Sequence, residues 1–474
     1  TLEQIIVEPW TIDKLEKTNK LVTEKKSLKD IILTLEDLVL ANSGVDSFEE
    51  VFKLIYAKLY DEYAAKNIKS RKGILQFRNY GESTTALNEK ITGLFDNAKE
   101  KWKGVFGQLD KIELTPTHLE TCITFLQDIQ LFYSNLNVID EAFEYLVVQI
   151  AKGSKGQYFT PRHVIDMCVR MINPKENEYV LDPASGSCGF TVHAISHIAG
   201  KPLSNEKLPD FAIEYAQQNV YGIDFDARAV KVAKALNLIA GDGRTNVYRD
   251  NSLDPSSWSD ETKAAFRYHL KHFPNNPQLE NENNQSFKYL SFNVVFSNPP
   301  FAGIVSERHI LRQYTLSEKN GKQLPKIERD VLFLERCINC LGDGGRMAIV
   351  LPQGIFSNPS DEYIRDFIME RGRILAIVGL DEFTFKPHSS TKTSVLFFQK
   401  WDDKLCPKKD DYEIFFATSK RTGKDSTGSF IYKRNNDGEI ILDKNQHLKI
   451  DHDLDDIEQG FVSFAKKQKL SFWS

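Results

Sequence analysis

The sequence VVFSNPPFAG at residues 294–303 ends an apolar run in an Asn, two prolines and a Phe. Two consecutive prolines end ladder pairing and fix the backbone. Asn298, Pro299, Pro300 and Phe301 are then presented at a strand's carboxyl end, where open α/β sheets bind ligands. The Asn298 side-chain oxygen and the Pro299 carbonyl can both accept from one amino group, while Phe301 offers a stacking face. The guest this suits is planar and carries hydrogen-bond donors. The alternative is a proline-rich strand exit with a buried Phe.

Three further strand ends carry polar residues. LDPASGSCGF (181–190) places a Gly-rich turn after an apolar run, which lets a ligand approach the backbone closely. A pyrophosphate site would want G-x-G-x-x-G, but only Gly186 and Gly189 are glycines here, and Asp182 ends the run. A carboxylate is poorly placed against a pyrophosphate and well placed near a cation. S-adenosylmethionine carries an ammonium and a sulfonium and no phosphate, so Asp182, Ala184, Gly186 and Gly189 are candidate contacts to it. A structural tight turn is the other reading. In YGIDFD (221–226), Asp224 can accept from ribose hydroxyls, unless it is a solvated strand end. Asp226 can instead cap the following helix. In RDNSL (249–253), Asp250 can accept from an adenine amino group, although Asp is common in turns.

With a methyl donor in that loop, Asn298 and Pro299 would hold an amine with its lone pair turned toward the methyl group. Positioning is a large part of such a transfer, and no strong base is required. An amine inside a duplex is out of reach, so the base must be flipped out, at a few kcal/mol. Stacking on Phe301, worth about 1–3 kcal/mol per base, offsets part of that.

The elements that must position these residues follow from the pattern. Residues 1–150 read as an all-helical domain for partner or DNA interaction; Val51, Leu54, Ile55 and Leu59 keep helical spacing, with Ser47 as N-cap. Residues 115–135 and 140–153 repeat that pattern. From 151 to 410, short apolar runs alternate with helical stretches. This predicts an α/β fold: a doubly wound, mainly parallel, seven-stranded Rossmann-like sheet. Residues 274–287, polar and Asn-rich, read as a loop before the fourth strand. Residues 411–474 read as a small β element, with a turn at Asp437-Gly438, followed by a helix.

The 474 residues with 41% hydrophobic content allow two or three domains. The net charge of -5 gives no bulk basic signal for nucleic acid, although a local groove or a partner subunit can supply it. Six cysteines without dense spacing suit a reducing cytoplasm. Cys337 and Cys340 form a CxxC on a helical stretch without the second pair a zinc site needs, so no metal is expected. Neither a signal peptide nor an apolar run near the ~18–20 residues of a membrane span is present in the sequence. The first residue is Thr1, which suggests processing or excision from a longer protein.

Together these motifs resemble the adenine-N6 DNA methyltransferases, specifically the modification subunits of type I restriction-modification systems, over roughly residues 140–400. GQYFTPRHVIDMCVRMI (156–172) is similar to the family's segment that helps bind the methionine end of the cofactor, which implies roles for Gln157, Phe159, Thr160 and Pro161. SNPPF is similar to the catalytic motif, and N-P-P-F is usual for adenine. ERDVLFLERCINCLGDGGRMAIVLPQGIF (328–356) and STKTSVLFFQK (390–400) are similar to the later elements, the second of which borders the target-base pocket. Phe385 and Lys392 are possible pocket neighbours. Cys188 stands where many members have a glycine. The resemblance implies S-adenosylmethionine as cofactor and duplex DNA as substrate. It also implies a separate specificity subunit, since the tail is short, and it allows a nuclease subunit. RNA or protein-glutamine methylation, or a non-catalytic assembly role, are the alternatives. Between 303 and 330, six Lys and Arg face four acidic residues, in what reads as a long loop favouring DNA.

Overall fold

The computed structural model describes residues 9–20, 28–38, 44–67, 73–131, 159–200, 208–240, 246–442 and 448–473. They fall into two compact units, one of Thr1–Gly153, Pro202–Glu214 and Lys231–Thr245, the other of Ser154–Lys201, Tyr215–Val230 and Asn246–Ser474.

The first unit contains α1 (Ile12–Thr18), α2 (Leu28–Leu38), α3 (Ser47–Asn67), α4 (Thr84–Lys101) and α5 (Pro116–Leu126). The cap of α3 is Asp46 rather than the expected Ser47: its Oδ1 accepts from Glu49 N at 3.1 Å, and its carbonyl accepts from Glu50 N. Either residue type caps well; the backbone enters the helix one residue earlier than the apolar spacing alone indicates. Thr115 caps α5, with Pro116 in the first turn. The expected helix at 140–153 lies outside the described residues.

The second unit is built on one sheet: β1 (Val180–Asp182), β2 (Val220–Asp224), β3 (Asn246–Arg249), β4 (Phe292–Ser297), β5 (Leu341–Pro352), β6 (Gly372–Gly379), β7 (Thr393–Lys400) and β8 (Phe415–Thr418). Their order is β8-β6-β7-β5-β4-β1-β2-β3. Strand β7 is antiparallel to β5 and β6, and the other neighbours are parallel. The sheet has eight strands where seven were expected. The run YEIFFATS was read as part of a small separate β element, but Phe415–Thr418 pairs in parallel with β6. A four-residue edge strand has too little pattern of its own to reveal its partner.

Helices α6 (Arg162–Ile172), α7 (Gly189–Ala199), α8 (Asp210–Asn219), α9 (Ala227–Ala240), α10 (Asp260–Phe266), α11 (Pro277–Ser286), α12 (Arg329–Cys340), α13 (Glu362–Arg371) and α14 (Leu454–Lys467) complete the order. Strand alternation sets α7 and α12 against opposite faces of the sheet. Val295 belongs to a core shared with Leu332, Cys337 and Ile338 of α12. Its neighbour Phe296 stacks on Phe190 of α7, 5.3 Å between ring centroids and 3° between planes. Arg346 of β5, 3% exposed, fastens the end of α6. It pairs bidentately with Glu178 at 2.7 Å and donates to the carbonyls of Ile172 and Asn173.

The Asn-rich stretch at 274–287 is largely helix α11, not a loop. Asn276 caps it, accepting from Leu279 N, and Pro277 occupies the first turn. Its anchor is a polar residue: buried Asn283 donates to the carbonyls of Lys271 and Tyr289 and accepts from Tyr289 N. A helix held by hydrogen bonds shows no apolar stripe, so periodicity cannot find it. The segment 303–330 is likewise organised, with short ribbons at 304–305/327–328 and 318–319/322–323.

Candidate functional site

Register sets the site. Leu181 of β1 is level with Tyr221 of β2 and Val295 of β4. Asp182 ends β1, Asp224 ends β2 and Asn298 follows β4, so all three lie along the carboxyl edge of the sheet. Asn298 lies two residues beyond the level of Asp182, about 6–7 Å farther out along the strand direction.

The loop after β1 is held over β2. Ser185 N donates to Ile223 O at 3.0 Å, and Cys188 N donates to Ser185 O at 2.7 Å. Gly186 has φ +50°, and a side chain there would meet open space; the glycine serves backbone conformation and leaves the loop surface bare. A Cβ on Gly189 would lie 2.7 Å from Ile165 Cδ1, so this glycine admits α6 against the start of α7. Ile165 is one turn into α6, which brings Thr160 and Pro161 to within about a turn of that contact. Pro161 is buried, and Phe159 and Thr160 are half-buried. Gln157 lies outside the described residues. Cys188 takes the left-handed conformation, φ 68°, and is fully buried; the loop keeps the backbone that glycine would adopt and carries a thiol on it.

The acids of this edge are buried, and no side-chain cation among the described residues pairs with them. Asp182 is 2% exposed and accepts from Ala184 N at 3.0 Å. Burial raises its carboxyl well above the usual range, Asp224 raises it further, and the Ala184 bond only partly opposes them. Asp224 accepts from Gly186 N (2.9 Å) and Asp226 N (2.8 Å), and burial still pushes it up to about 6. Asp226 Oδ1 accepts from Arg228 N and Ala229 N, so Asp226 caps α9 and Asp224 is left to the cleft. The Asp250 backbone N–H donates to Asp224 O, but its carboxylate is engaged elsewhere. It accepts from Ser259 N and Oγ and from Thr262 Oγ1 at the start of α10.

Phe301 meets Phe385 edge to face, centroids 5.5 Å apart at 85°. Phe385, in the turn between β6 and β7, is 2% exposed. It therefore backs Phe301 and sets its tilt rather than forming an open second wall. Lys392 is exposed just before β7, its carbonyl accepting from Gln353 N.

Two residues of this edge escape a motif search. Phe225 is 73% exposed beside Asp224 and offers an aromatic face on which a planar group could stack. An aromatic directly after a strand-terminal acid is the signal that points to it. Ser252, 3% exposed, donates to Pro183 O at 2.5 Å and ties the turn after β3 to the loop after β1.

S-adenosylmethionine fits what is present. Its cationic methionine end would neutralise Asp182, its ribose hydroxyls would donate to Asp224, and its adenine would cover Phe225. Cys337 and Cys340 are buried on α12, their thiols raised by burial. Among the described residues no group of three His, Cys, Asp or Glu is arranged to hold a metal. No helix among them is long and apolar enough to cross a membrane.

Comparison with known proteins agrees with this geometry. The methylase subunit of the type I restriction enzyme EcoEI from Escherichia coli is 24% identical over 411 residues, 79% of this chain and 75% of that protein. The EcoKI methylase subunit from Escherichia coli K12 is 25% identical over 353 residues, covering 72% of this chain and 59% of its own length. The chain thus spans under two thirds of that subunit. The structure of the type I restriction-modification methyltransferase subunit from Streptococcus thermophilus superposes with TM-score 0.58 at 17% identity, covering 96% of this chain and 94% of that one. The N-6 DNA Methylase family matches residues 134–444, more than half of the chain, and the chain belongs to this family of S-adenosylmethionine-dependent adenine methyltransferases.

Proposed function

We propose that the chain is the modification subunit of a restriction-modification system and methylates the exocyclic N6 of an adenine flipped out of duplex DNA. The observation that carries this reading is Asn298-Pro299-Pro300-Phe301 at the exit of β4, on the same sheet edge as Asp182 and Asp224, which no side-chain cation among the described residues pairs with. Bound along that edge, S-adenosylmethionine supplies an electrophilic methyl group. Asp182, with Thr160 and Pro161 nearby, faces its methionine end. Asp224 would accept from the ribose, and Phe225 would offer its ring to the adenine. Asp250 contributes through the turn it stabilises, since its carboxylate already holds the start of α10.

Asn298 Oδ1 and the Pro299 carbonyl accept the two N–H groups of the target amine and so fix its lone pair. Pro300 rigidifies the turn, and Phe301, backed by Phe385, stacks on the base. The amine proton released after transfer leaves to solvent. A separate specificity subunit supplies sequence recognition, as the naming of the relatives as methylase subunits suggests. Methylated-base sequencing of cells carrying the gene with its neighbours, wild type against Asn298→Ala, tests the reading. Adenine methylation at one motif, abolished in the variant, is expected. Identical methylomes would overturn it.

A further inference from the structure

The segment between Phe301 and α12 leaves the carboxyl edge of the sheet and returns to it as a closed protrusion. Gly303 O accepts from Arg329 N at 3.0 Å, and Ile304–Val305 pairs antiparallel with Ile327–Glu328. Its two ends therefore meet just beyond Phe301. Its Ile310, Leu311, Tyr314, Leu316 and Ile327 are 6% exposed or less and join the core that Val331 and Leu332 of α12 belong to.

Polar ties hold it from outside. Glu335 of α12 accepts from Thr315 N (2.9 Å) and Leu316 N (2.7 Å). Tyr314 Oη donates to Leu253 O at 3.0 Å, and Gln313 Nε2 donates to Asp254 Oδ1 at 2.8 Å. At the tip, Lys319 Nζ donates to Ser360 O at 2.8 Å. A segment fixed in this way loses little conformational freedom when it binds.

Its charge runs against that of the chain. Residues 303–329 carry six Lys and Arg and three Glu, in a protein of net charge -5. Arg308, Arg312, Lys322 and Lys326 are exposed. Arg308 and Arg312 are four residues apart across the short helix Arg308–Leu311, hence on one side of it. Of the acids, Glu307 turns back onto Ser306 N, while Glu318 and Glu328 share the exposed surface.

We infer that this protrusion is a preorganised guide for the phosphate backbone of duplex DNA beside the target base, with Arg308, Arg312, Lys322 and Lys326 as its phosphate-binding side chains. The inference rests on the DNA reading above and assigns the protrusion affinity without sequence choice, because phosphate contacts position a duplex and carry no base information. A rigid guide at the mouth of the base pocket would hold the duplex while the adenine is out of the stack.

The test uses the chain assembled with the subunits encoded beside it. Wild type is compared with R308Q/R312Q/K322Q/K326Q and with the charge-conserving R308K/R312K/K322R/K326R. Duplex binding is measured across a salt series, alongside S-adenosylmethionine affinity. The slope of log affinity against log salt is expected to shrink by about 0.9 for each phosphate the glutamine variant no longer neutralises. The weakening should be equal on specific and non-specific duplexes, with cofactor affinity unchanged and the slope restored by the charge-conserving variant. An unchanged slope in the glutamine variant, while wild type methylates duplex DNA, overturns the inference. So does a changed recognition motif, which would mean base readout, or dissociation of a subunit with the slope intact, which would mean a protein interface. If wild type methylates no duplex DNA, the functional reading itself fails and takes this inference with it.

Discussion

Two sets of buried carboxylates sit in this protein, one in helix α3 and one at the ends of β1 and β2. In α3, Glu50 pairs with Lys53 at 2.5 Å and Glu62 with Lys58 at 3.0 Å, all nearly inaccessible. Glu62 also accepts from Leu131 N, and Asp61 accepts from Gln76 N and Phe77 N. At the sheet edge, Asp182 and Asp224 receive backbone N–H groups and no cation from the described residues, and each sits beside another acid. Burying a charge is costly unless it is paired. The helix acids meet that cost with lysines of the same helix and with backbone N–H groups of Gln76, Phe77 and Leu131, whereas the sheet edge leaves part of it for a bound ligand to meet. A lysine does not by itself separate the two sets, since Asp61 is held by backbone N–H groups and burial raises it to about 6, as it does Asp224. What sets Asp182 and Asp224 apart is their place at the carboxyl ends of β1 and β2, where open α/β sheets bind ligands.

The comparison breaks most visibly at α3. Replacing Lys58 with Met strands Glu62 in the interior and should destabilise the first unit by about 3–5 kcal/mol, read from chemical denaturation. A cost below about 1 kcal/mol would mean that the pairing is incidental. At the sheet edge the opposite holds. Asp182→Asn keeps the acceptor for Ala184 N and removes a charge that burial already disfavours, so stability should hold. S-adenosylmethionine affinity should fall about 10–100-fold by calorimetry, as when a hydrogen bond to a charged group is removed. Unfolding without a specific drop in binding would place Asp182 with the structural acids.

The pH dependence sharpens the same contrast. Asp224 is raised to about 6, so below that pH it is protonated and loses the charge-assisted hydrogen bonds it would accept from the ribose hydroxyls. Cofactor affinity should weaken as pH falls through 6, by about tenfold per unit, with proton release on binding that calorimetry in two buffers detects. The cofactor-free fold has the opposite sign: a raised carboxyl pKa favours folding most below the unfolded value and loses that contribution as pH rises toward 6. An affinity independent of pH would remove Asp224 from the site. The smallest effect concerns Asp330 of α12, 4% exposed and raised to about 7, chiefly by burial. Its Oδ1 has no hydrogen-bond partner among the described residues. Asp330→Asn should stabilise by about 1 kcal/mol at pH 8 and not at pH 4, by thermal melting.

Much of the site was legible because its signals are local. Asn298 through Phe301, the glycines of the loop after β1, and the strand-terminal Asp182 and Asp224 are each read from a few neighbouring residues and a strand end. The helix at 277–286 was not legible, since polar side chains anchor it: Asn283 bonds Lys271 and Tyr289, and Glu280 accepts from Phe273 N. Nor was the partner of Phe415–Thr418, because a short strand's neighbour depends on which edge is open. Position after a strand points to Asp250, and only the fold shows its carboxylate taken by Ser259 and Thr262.

The order of motifs along the chain determined the reaction class and the doubly wound sheet, because strand periodicity, proline and glycine act on the backbone where they stand. The tertiary structure decided what depends on distance through space. It left Asp182 and Asp224 side by side without a described cation, set Phe385 behind Phe301, and closed residues 303–330 into a protrusion. Those outcomes follow from burial and pairing between residues far apart in sequence, which no local window contains.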